Sequence, residues 1–335
     1  MGTVTEDAYA RAGVSQGDAD AAVASLVSAL AASSPAESRR VLASGHYANV
    51  VRLDESVGIA LSTDGVGTKL LVAERLRRWD TVGIDCVAMN VNDVVCIGAE
   101  PLAMVDYLAV DRADSEVAEA IGVGLGRGAE LAGIEIVGGE LAQLGELING
   151  LDLAGACFGV VALDSLITGA TIEPGDAVIG LPSSGLHSNG YTLARKALEG
   201  VHYDDERLGR PLGDVLLEPT EIYVKPVLEL LRSDVAVRGL AHITSGGLGN
   251  LLRLEAEVGY EIDDPLPVPP IFTLIQGLAD VPDDEMREVF NLGCGFCVVV
   301  AGEDEQAALE RLRTHYPDAK RIGRATGDAG RVVRP

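Results

Sequence analysis

Apolar and polar positions along the chain run through two similar cycles. Ala21, Ala22, Leu26, Ala29 and Leu30 recur at helical spacing and predict a helix that Ser33, Ser34 and Pro35 stop. Segment 57–63 reads as a strand and ends in Asp64-Gly65-Val66-Gly67-Thr68-Lys69. Residues 81–97 are mostly apolar but contain Asn90, Asn92 and Asp93. A helix with its polar groups on one face accommodates them, because residues three or four apart are neighbours on a helix surface. A strand at 104–110, a helix at 116–132, a strand at 134–140 running into a glycine turn and a strand at 151–163 complete the first cycle. The second begins with a turn and strand at 172–181 and a glycine loop at 183–190. Helices at 191–198 and 221–231 follow, then a loop at 242–247 ahead of a helix, and a glycine turn into an apolar strand at 290–300. The pattern predicts an α/β (α+β) chain of two units, 1–166 and 167–335, with glycine loops leaving the strands.

Composition narrows the partners. With 47% hydrophobic residues in 335, the chain can build a sizeable core, which excludes extended disorder. The 51 acidic residues outnumber 26 basic ones, for a net charge of −25, and Lys69, Lys196, Lys225 and Lys320 are the only lysines. Such a surface repels phosphate backbones and anionic lipid, so no nucleic acid and no membrane is expected as partner. No apolar run reaches the roughly 18–20 residues of a membrane-spanning helix. The start is acidic where a secretory signal is basic, and five cysteines make no disulfide framework. A cytoplasmic protein is expected. The acid excess reads either as a solubilising surface or as adaptation to high salt, where counter-ions screen self-repulsion.

Several residues have the chemistry of a phosphate site. In Asp64–Lys69 the glycines let backbone amides approach phosphate oxygens, Lys69 offers a point charge, and Asp64 suits Mg²⁺. The spacing is not that of a P-loop, and a plain strand-to-helix turn accounts for it equally well. Asp93 sits in an apolar stretch where an unpaired carboxylate is costly, and Glu140 follows Gly138 and Gly139 at a strand end. Each acid alone reads as a cap or turn residue; together they suggest a Mg²⁺–polyphosphate site. The loop Ser183-Ser-Gly-Leu-His-Ser-Asn-Gly190 leads into a helix and offers His187 and Asn189 to an anion or a proton transfer. The loop at His242 is similar, whereas His202 and His315 lie among charged residues and look inert. Cys294 and Cys297 form a lone C-x-x-C at the start of an apolar strand, which reads as core rather than zinc site. Cys86, Cys96 and Cys157 also read as core.

Blocks of sequence then fall in a recognisable order: Tyr9-Ala-Arg-Ala-Gly-Val14, Ser62 to Leu70, Gly83 to Asp93, Gly98-Ala-Glu-Pro101, Gly138-Gly-Glu140, Ser183 to Tyr191, Glu218 to Pro226, His242 to Gly247 and Phe290-Asn-Leu-Gly293. Over nearly the whole chain this resembles the phosphoribosylformylglycinamidine cyclo-ligase (aminoimidazole ribonucleotide synthetase) family. The resemblance implies a two-domain homodimer whose N-terminal domains join strands in a shared barrel. It implies ATP-driven closure of an imidazole ring on a small-molecule ribotide, with ATP and Mg²⁺ as cofactors and K⁺ as a further candidate.

Carried onto this chain, the resemblance assigns Asp64, Asp93 and Glu140 to the metal. It assigns Gly65, Gly67, Thr68, Lys69, Asn92, Gly138, Gly139, Ser184, Gly246 and Gly247 to the nucleotide, along with Gly45 and His46 of a mobile loop. His187, Asn189 and Lys69 are the catalytic candidates. Two stretches depart from the family pattern. Leu141-Ala-Gln-Leu-Gly-Glu-Leu-Ile148 replaces a segment that in many members carries an acid at the place of Gln143, and His46 and Tyr47 are bulkier than usual. A thiamine-monophosphate kinase-like phosphotransferase and a non-catalytic nucleotide sensor remain the alternatives on the same scaffold. Blocks 183–191 and 218–226 match the cyclo-ligases better.

Overall fold

A computed structural model describes residues 16–32, 35 and 37–333. The block at 9–14 and the helix stop at Ser33 and Ser34 lie outside the described residues. Helix α1 (Gln16–Ala32) is present as its periodicity predicts, with Val23, Leu26, Val27 and Leu30 exposed.

The first unit is a five-stranded sheet built from β1 (Asn49–Arg52), β2 (Val57–Gly65), β3 (Glu100–Val110), β4 (Glu135–Gln143) and β5 (Leu151–Ala162), in the order β1-β2-β5-β3-β4. Only β3 and β4 run parallel, joined by the long crossover that parallel neighbours require. Between β2 and β3 the chain forms α2 (Leu70–Leu76) and α3 (Val82–Val95); α4 (Ser115–Ala132) is the crossover itself. Asp114 caps α4 by accepting from the Glu116 and Val117 amides, and Gly133 ends it in the left-handed region.

Helix α3 is buried along nearly its whole length, Asp85, Asn90 and Asn92 included, because it has partners on several sides. One face of the sheet packs Ala60, Met104, Leu153 and Cys157 toward it. The opposite face exposes Leu61, Val105, Tyr107 and Phe158, apolar where a solvated sheet face is usually polar.

The predicted glycine turn at the end of β4 does not form. The strand runs through Gly138 and Gly139 to Gln143, paired with residues 105–110 of β3, and Asp106 of β3 fills the space that a β-carbon at Gly139 would need.

The second unit holds six strands: β6 (Ala177–Pro182), β7 (Val237–His242), β8 (Gly259–Glu261), β9 (Cys294–Val300), β10 (Lys320–Thr326) and β11 (Val332–Val333), in the order β11-β8-β10-β6-β9-β7. Its helices are α5 (Tyr191–Ala197), α6 (Leu212–Leu216), α7 (Val224–Leu231), α8 (Pro270–Ala279), α9 (Asp283–Val289) and α10 (Glu305–Leu312). Strand β9 is buried at every position, as its unbroken apolar run suggests. All five cysteines are buried free thiols, with the Cys294 and Cys297 sulfurs 3.6 Å apart.

Two helix expectations shift. Helix α7 starts at Val224 rather than 221, because Asn92 of the first unit takes the Glu221 carbonyl and the Tyr223 amide. The segment after the 242–247 loop is a 3₁₀ turn (Gly247–Arg253) entered through Gly246 at φ +97°. Among the described residues no helix is long and apolar enough to cross a membrane.

Candidate active site

Helix α3 sets the site by gripping the end of β2. Asn90 accepts from the Asp64 amide at 3.0 Å and donates to the Asp64 carbonyl at 3.1 Å, while the Gly65 amide donates to Asp64 Oδ1 at 2.7 Å. The backbone of Asp64 is therefore fixed and its carboxylate faces the end of α3. Burial raises the Asp64 pKa above the usual carboxylate range, and the Asp93 charge adds to it. Beyond Asp64 the turn opens. Gly67 adopts φ +68°, its α-carbon faces open space, and Gly67 and Thr68 are exposed. Amides can approach a phosphate there as the sequence suggests.

Asp93 is held from the other unit. His242, fully buried at the end of β7, donates from Nδ1 to Asp93 Oδ1 at 2.9 Å. Asn92, assigned above to the nucleotide, is instead consumed as a bridge. Its Nδ2 donates to the Glu221 carbonyl at 2.8 Å and lies 3.5 Å from His242 Nε2, and its Oδ1 accepts from the Tyr223 amide at 2.9 Å.

Lys69 also departs from its expected role. Its side chain is fully buried, with Nζ 2.9 Å from Asp85 Oδ1 and donating to the His187 carbonyl at 3.0 Å and the Glu218 carbonyl at 2.6 Å. An ammonium has three donors, and these partners use all of them, so none is left for a phosphate. Burial lowers the Lys69 pKa, and the Asp85 charge opposes that shift. Asp85 was not singled out from sequence. The available signal was its place two helical turns before Asn92, inside the same apolar run.

The 183–190 loop carries His187 in the left-handed region at φ +60°. The Ser184 amide donates to His187 Nε2 at 3.2 Å, so the ring proton resides on Nδ1, which is buried without a partner. Burial pushes the ring pKa well below 6.5, helped by the charges of His242 and Lys69, and keeps it neutral. Asn189 accepts from Ser245 Oγ at 3.2 Å while its buried Nδ2 has no partner. Two unpartnered donors thus sit in one loop. Ser184 is tied back to the Pro219 carbonyl at 2.5 Å.

The remaining candidates divide. Gly45 and His46 are held by side chains of the second unit. Arg253 donates to both carbonyls and stacks on Tyr47 at 4.0 Å, and His46 Nε2 meets Glu255 at 3.0 Å. Gly246 and Gly247 form the neighbouring turn, and Gly247 lies hard against the Arg287 and Phe290 carbonyls.

Within one chain Glu140 does not join Asp64 and Asp93. Asp64 aligns across the sheet with Gly155, Asp106 and Gly139, whereas Glu140 aligns with Tyr107, Ala154 and Gly65, on the opposite face. Three strand spacings add about 14 Å to that separation. Gly139 serves close packing against Asp106, whose own pKa is raised by burial; no structural need of that kind marks Gly138. Among the described residues no group of three or more His, Cys, Asp or Glu side chains is arranged to hold a metal.

Residues 45–161 match the family described as AIR synthase related protein, N-terminal domain, and residues 173–334 the corresponding C-terminal domain. The chain is 54% identical over 279 residues to the phosphoribosylformylglycinamidine cyclo-ligase of Methanothermobacter thermautotrophicus, with 81% of each chain covered. To the enzyme of the same name from Methanobrevibacter smithii it is 49% identical over 296 residues, covering 87% of this chain and 86% of the other. Among solved structures, hydrogenase maturation protein HypE in complex with ATP aligns with a TM-score of 0.62 at 19% identity, over 85% of this chain and 83% of that one. A thiamine monophosphate kinase from Aquifex aeolicus aligns with a TM-score of 0.61 at 17% identity, over 94% and 98%. Those two likenesses concern the fold; the identity to the cyclo-ligases, over most of both chains and both domains, is of another order. The chain belongs to the phosphoribosylformylglycinamidine cyclo-ligase family.

Proposed function

We propose that the chain catalyses the ATP-dependent closure of formylglycinamidine ribonucleotide to 5-aminoimidazole ribonucleotide, releasing ADP and phosphate, as the names of its relatives indicate. An amide oxygen is a poor leaving group. Transfer of the terminal phosphoryl of ATP to the formamide oxygen turns it into phosphate ester; the amidine nitrogen then attacks that carbon and phosphate departs. The protein's share is positioning and charge neutralisation.

The observation that carries this reading is the pairing of opposite needs where the Asp64 turn meets the second unit, Thr68 Oγ1 lying 3.1 Å from Thr192 Oγ1 and Lys69 holding the His187 carbonyl. Asp64 feels the charge of Asp93 and forms no ion pair among the described residues, and His187 and Asn189 hold buried donors with no acceptor. Two carboxylates completed by polyphosphate oxygens make a donor set that suits Mg²⁺. Bound there, the ion would neutralise charge on the polyphosphate. His242 keeps the Asp93 carboxylate oriented, and the Gly65–Thr68 turn offers backbone amides to phosphate. Neutral His187 donates Nδ1–H to the oxygen that gains charge, and Asn189 Nδ2 donates beside it. Desolvation argues against an imidazolium acid at neutral pH, so proton delivery by His187 is not part of the proposal.

The exposed apolar face of the first sheet supports a homodimer in which two such faces meet in a shared barrel. Glu140 lies on that face and would serve a site only in the assembled pair.

Asp64→Asn and Asp93→Asn test the metal assignment. Each is expected to abolish turnover and ATP–Mg²⁺ binding while leaving the far-ultraviolet dichroism and unfolding midpoint of the wild type. Wild-type rates in either variant would remove the assignment.

A further inference from the structure

Lys69 and Asp85 are charged, fully buried and in contact. Burying two charges carries a large desolvation penalty for each, and a well-packed apolar pair would usually join two units as firmly. What the pair offers instead is direction. Apart from their mutual contact, the polar bonds they make go to the other unit, and to two segments of it. Lys69 holds the His187 and Glu218 carbonyls, and Asp85 Oδ1 accepts the Thr220 amide and hydroxyl, each at 2.7 Å.

Those two segments are also tied to each other. Ser184 donates to the Pro219 carbonyl, and the Ser188 and Thr220 hydroxyls lie 2.9 Å apart. Between these ties sits His187, in a backbone conformation that a residue with a side chain keeps only when its surroundings over-determine it. The Lys69 bond is made to the carbonyl of that same residue, and the ring above it presents the unpartnered Nδ1–H.

We propose that the Lys69–Asp85 pair is a positioning device. Anchored in the first unit beside the Asp64 turn, it fixes the His187 backbone of the second unit so that Nδ1–H faces the substrate assembled on Asp64 and Asp93. Lys69 is then a positioning residue and not a phosphate ligand. The inference rests on the cyclo-ligase reading for its kinetic consequence, but not for its structural one.

Lys69→Met would strand Asp85 as an uncompensated buried charge, so the informative variants keep the site occupied. Lys69→Arg retains the charge in a planar fork that cannot reach three separately directed acceptors. Asp85→Asn retains the shape. Thr220→Val removes the hydroxyl contacts to Asp85 and to Ser188 and leaves both charges paired, so it reports even if the other two do not fold. The measurements are kcat, KM, the calorimetric Kd for ATP–Mg²⁺, and the ¹H–¹⁵N signals of the five histidine side chains.

In Lys69→Arg and Asp85→Asn, kcat is expected to fall about 10²-fold, as for misplacement of a reacting group by about 1 Å. ATP–Mg²⁺ Kd should be unchanged and the His187 signal should move. Thr220→Val should change the same quantities in the same direction by less. A weakened ATP–Mg²⁺ Kd with an unmoved His187 signal would make Lys69 a phosphate ligand and overturn the proposal. So would folded variants with wild-type kcat and wild-type His187 signal. If the wild-type protein fails to turn over the ribotide, the reaction assignment falls, while the His187 signal in Lys69→Arg still decides the positioning role.

Discussion

A buried imidazole that holds a single proton behaves differently from the exposed histidines of the same chain. The His187 pKa lies well below 6.5 in the folded protein, so as pH falls through that value the unfolded chain gains a proton that the folded chain does not. Stability then falls with decreasing pH, by up to about 1.4 kcal/mol per pH unit for one proton. His187→Gln should flatten the slope of unfolding free energy against pH between about 7.5 and 5.5. Denaturant titration across that range checks it, and an unchanged slope would contradict a neutral buried ring. His187→Ala should lower kcat on the order of 10²-fold or more; an effect confined to KM would make the residue a binding group only.

At this scale the sequence was partly legible. Asp64, Asp93 and His187 stand out because each breaks an apolar or glycine-rich pattern. Lys69 and Asn92 are visible too, but a motif does not reveal the contacts a side chain makes with the other unit. Asp85 went unnoticed because its contacts, to Lys69 and to the sequence-distant Thr220, arise only in the fold.

Elements were read well where the apolar period of the segment decides the outcome. The periods at 57–63, 81–97 and 116–132 correspond to β2, α3 and α4 within a few residues. Departures occur where a tertiary partner overrides local preference. Strand β4 continues through two glycines because β3 pairs with it there, with Asp106 occupying the place of a side chain at Gly139, and α7 starts late because Asn92 claims the preceding backbone. The first of these is testable. Gly139→Ala must displace the Asp106 carboxylate and should cost about 1–3 kcal/mol in urea unfolding. Gly138→Ala meets open space and should stay within about 0.5 kcal/mol. Equal midpoints for the two variants would mean that Asp106 does not occupy that place.

At the scale of the whole molecule, charge and the uncovered sheet face dominate. A net charge of −25 on one chain repels itself, and salt within a Debye length relieves that repulsion. The melting temperature should therefore rise from low to molar KCl; a flat curve would remove the high-salt reading of the acidic surface. Light scattering should give twice the 34.9 kDa chain mass. The double variant Tyr107→Asp, Phe158→Asp, which places charge on the exposed apolar face, should return the single-chain mass. A monomeric wild type would contradict the shared barrel.

The division into two sheets was legible from the restart of the pattern. How the two are joined was not, because α3 serves both units: Asn90 holds β2, whereas Asp85, Asn92 and Asp93 reach across the boundary.

The most direct test of the account is the stoichiometry of the reaction. Purified protein is given formylglycinamidine ribonucleotide, ATP, Mg²⁺ and KCl, with thiamine monophosphate in a parallel reaction, and ADP and aminoimidazole ribotide are measured together. The account predicts equal amounts of the two products with the ribotide and no ADP from the thiamine compound. ADP formed only with thiamine monophosphate, or ATP bound without turnover of either compound, would contradict it.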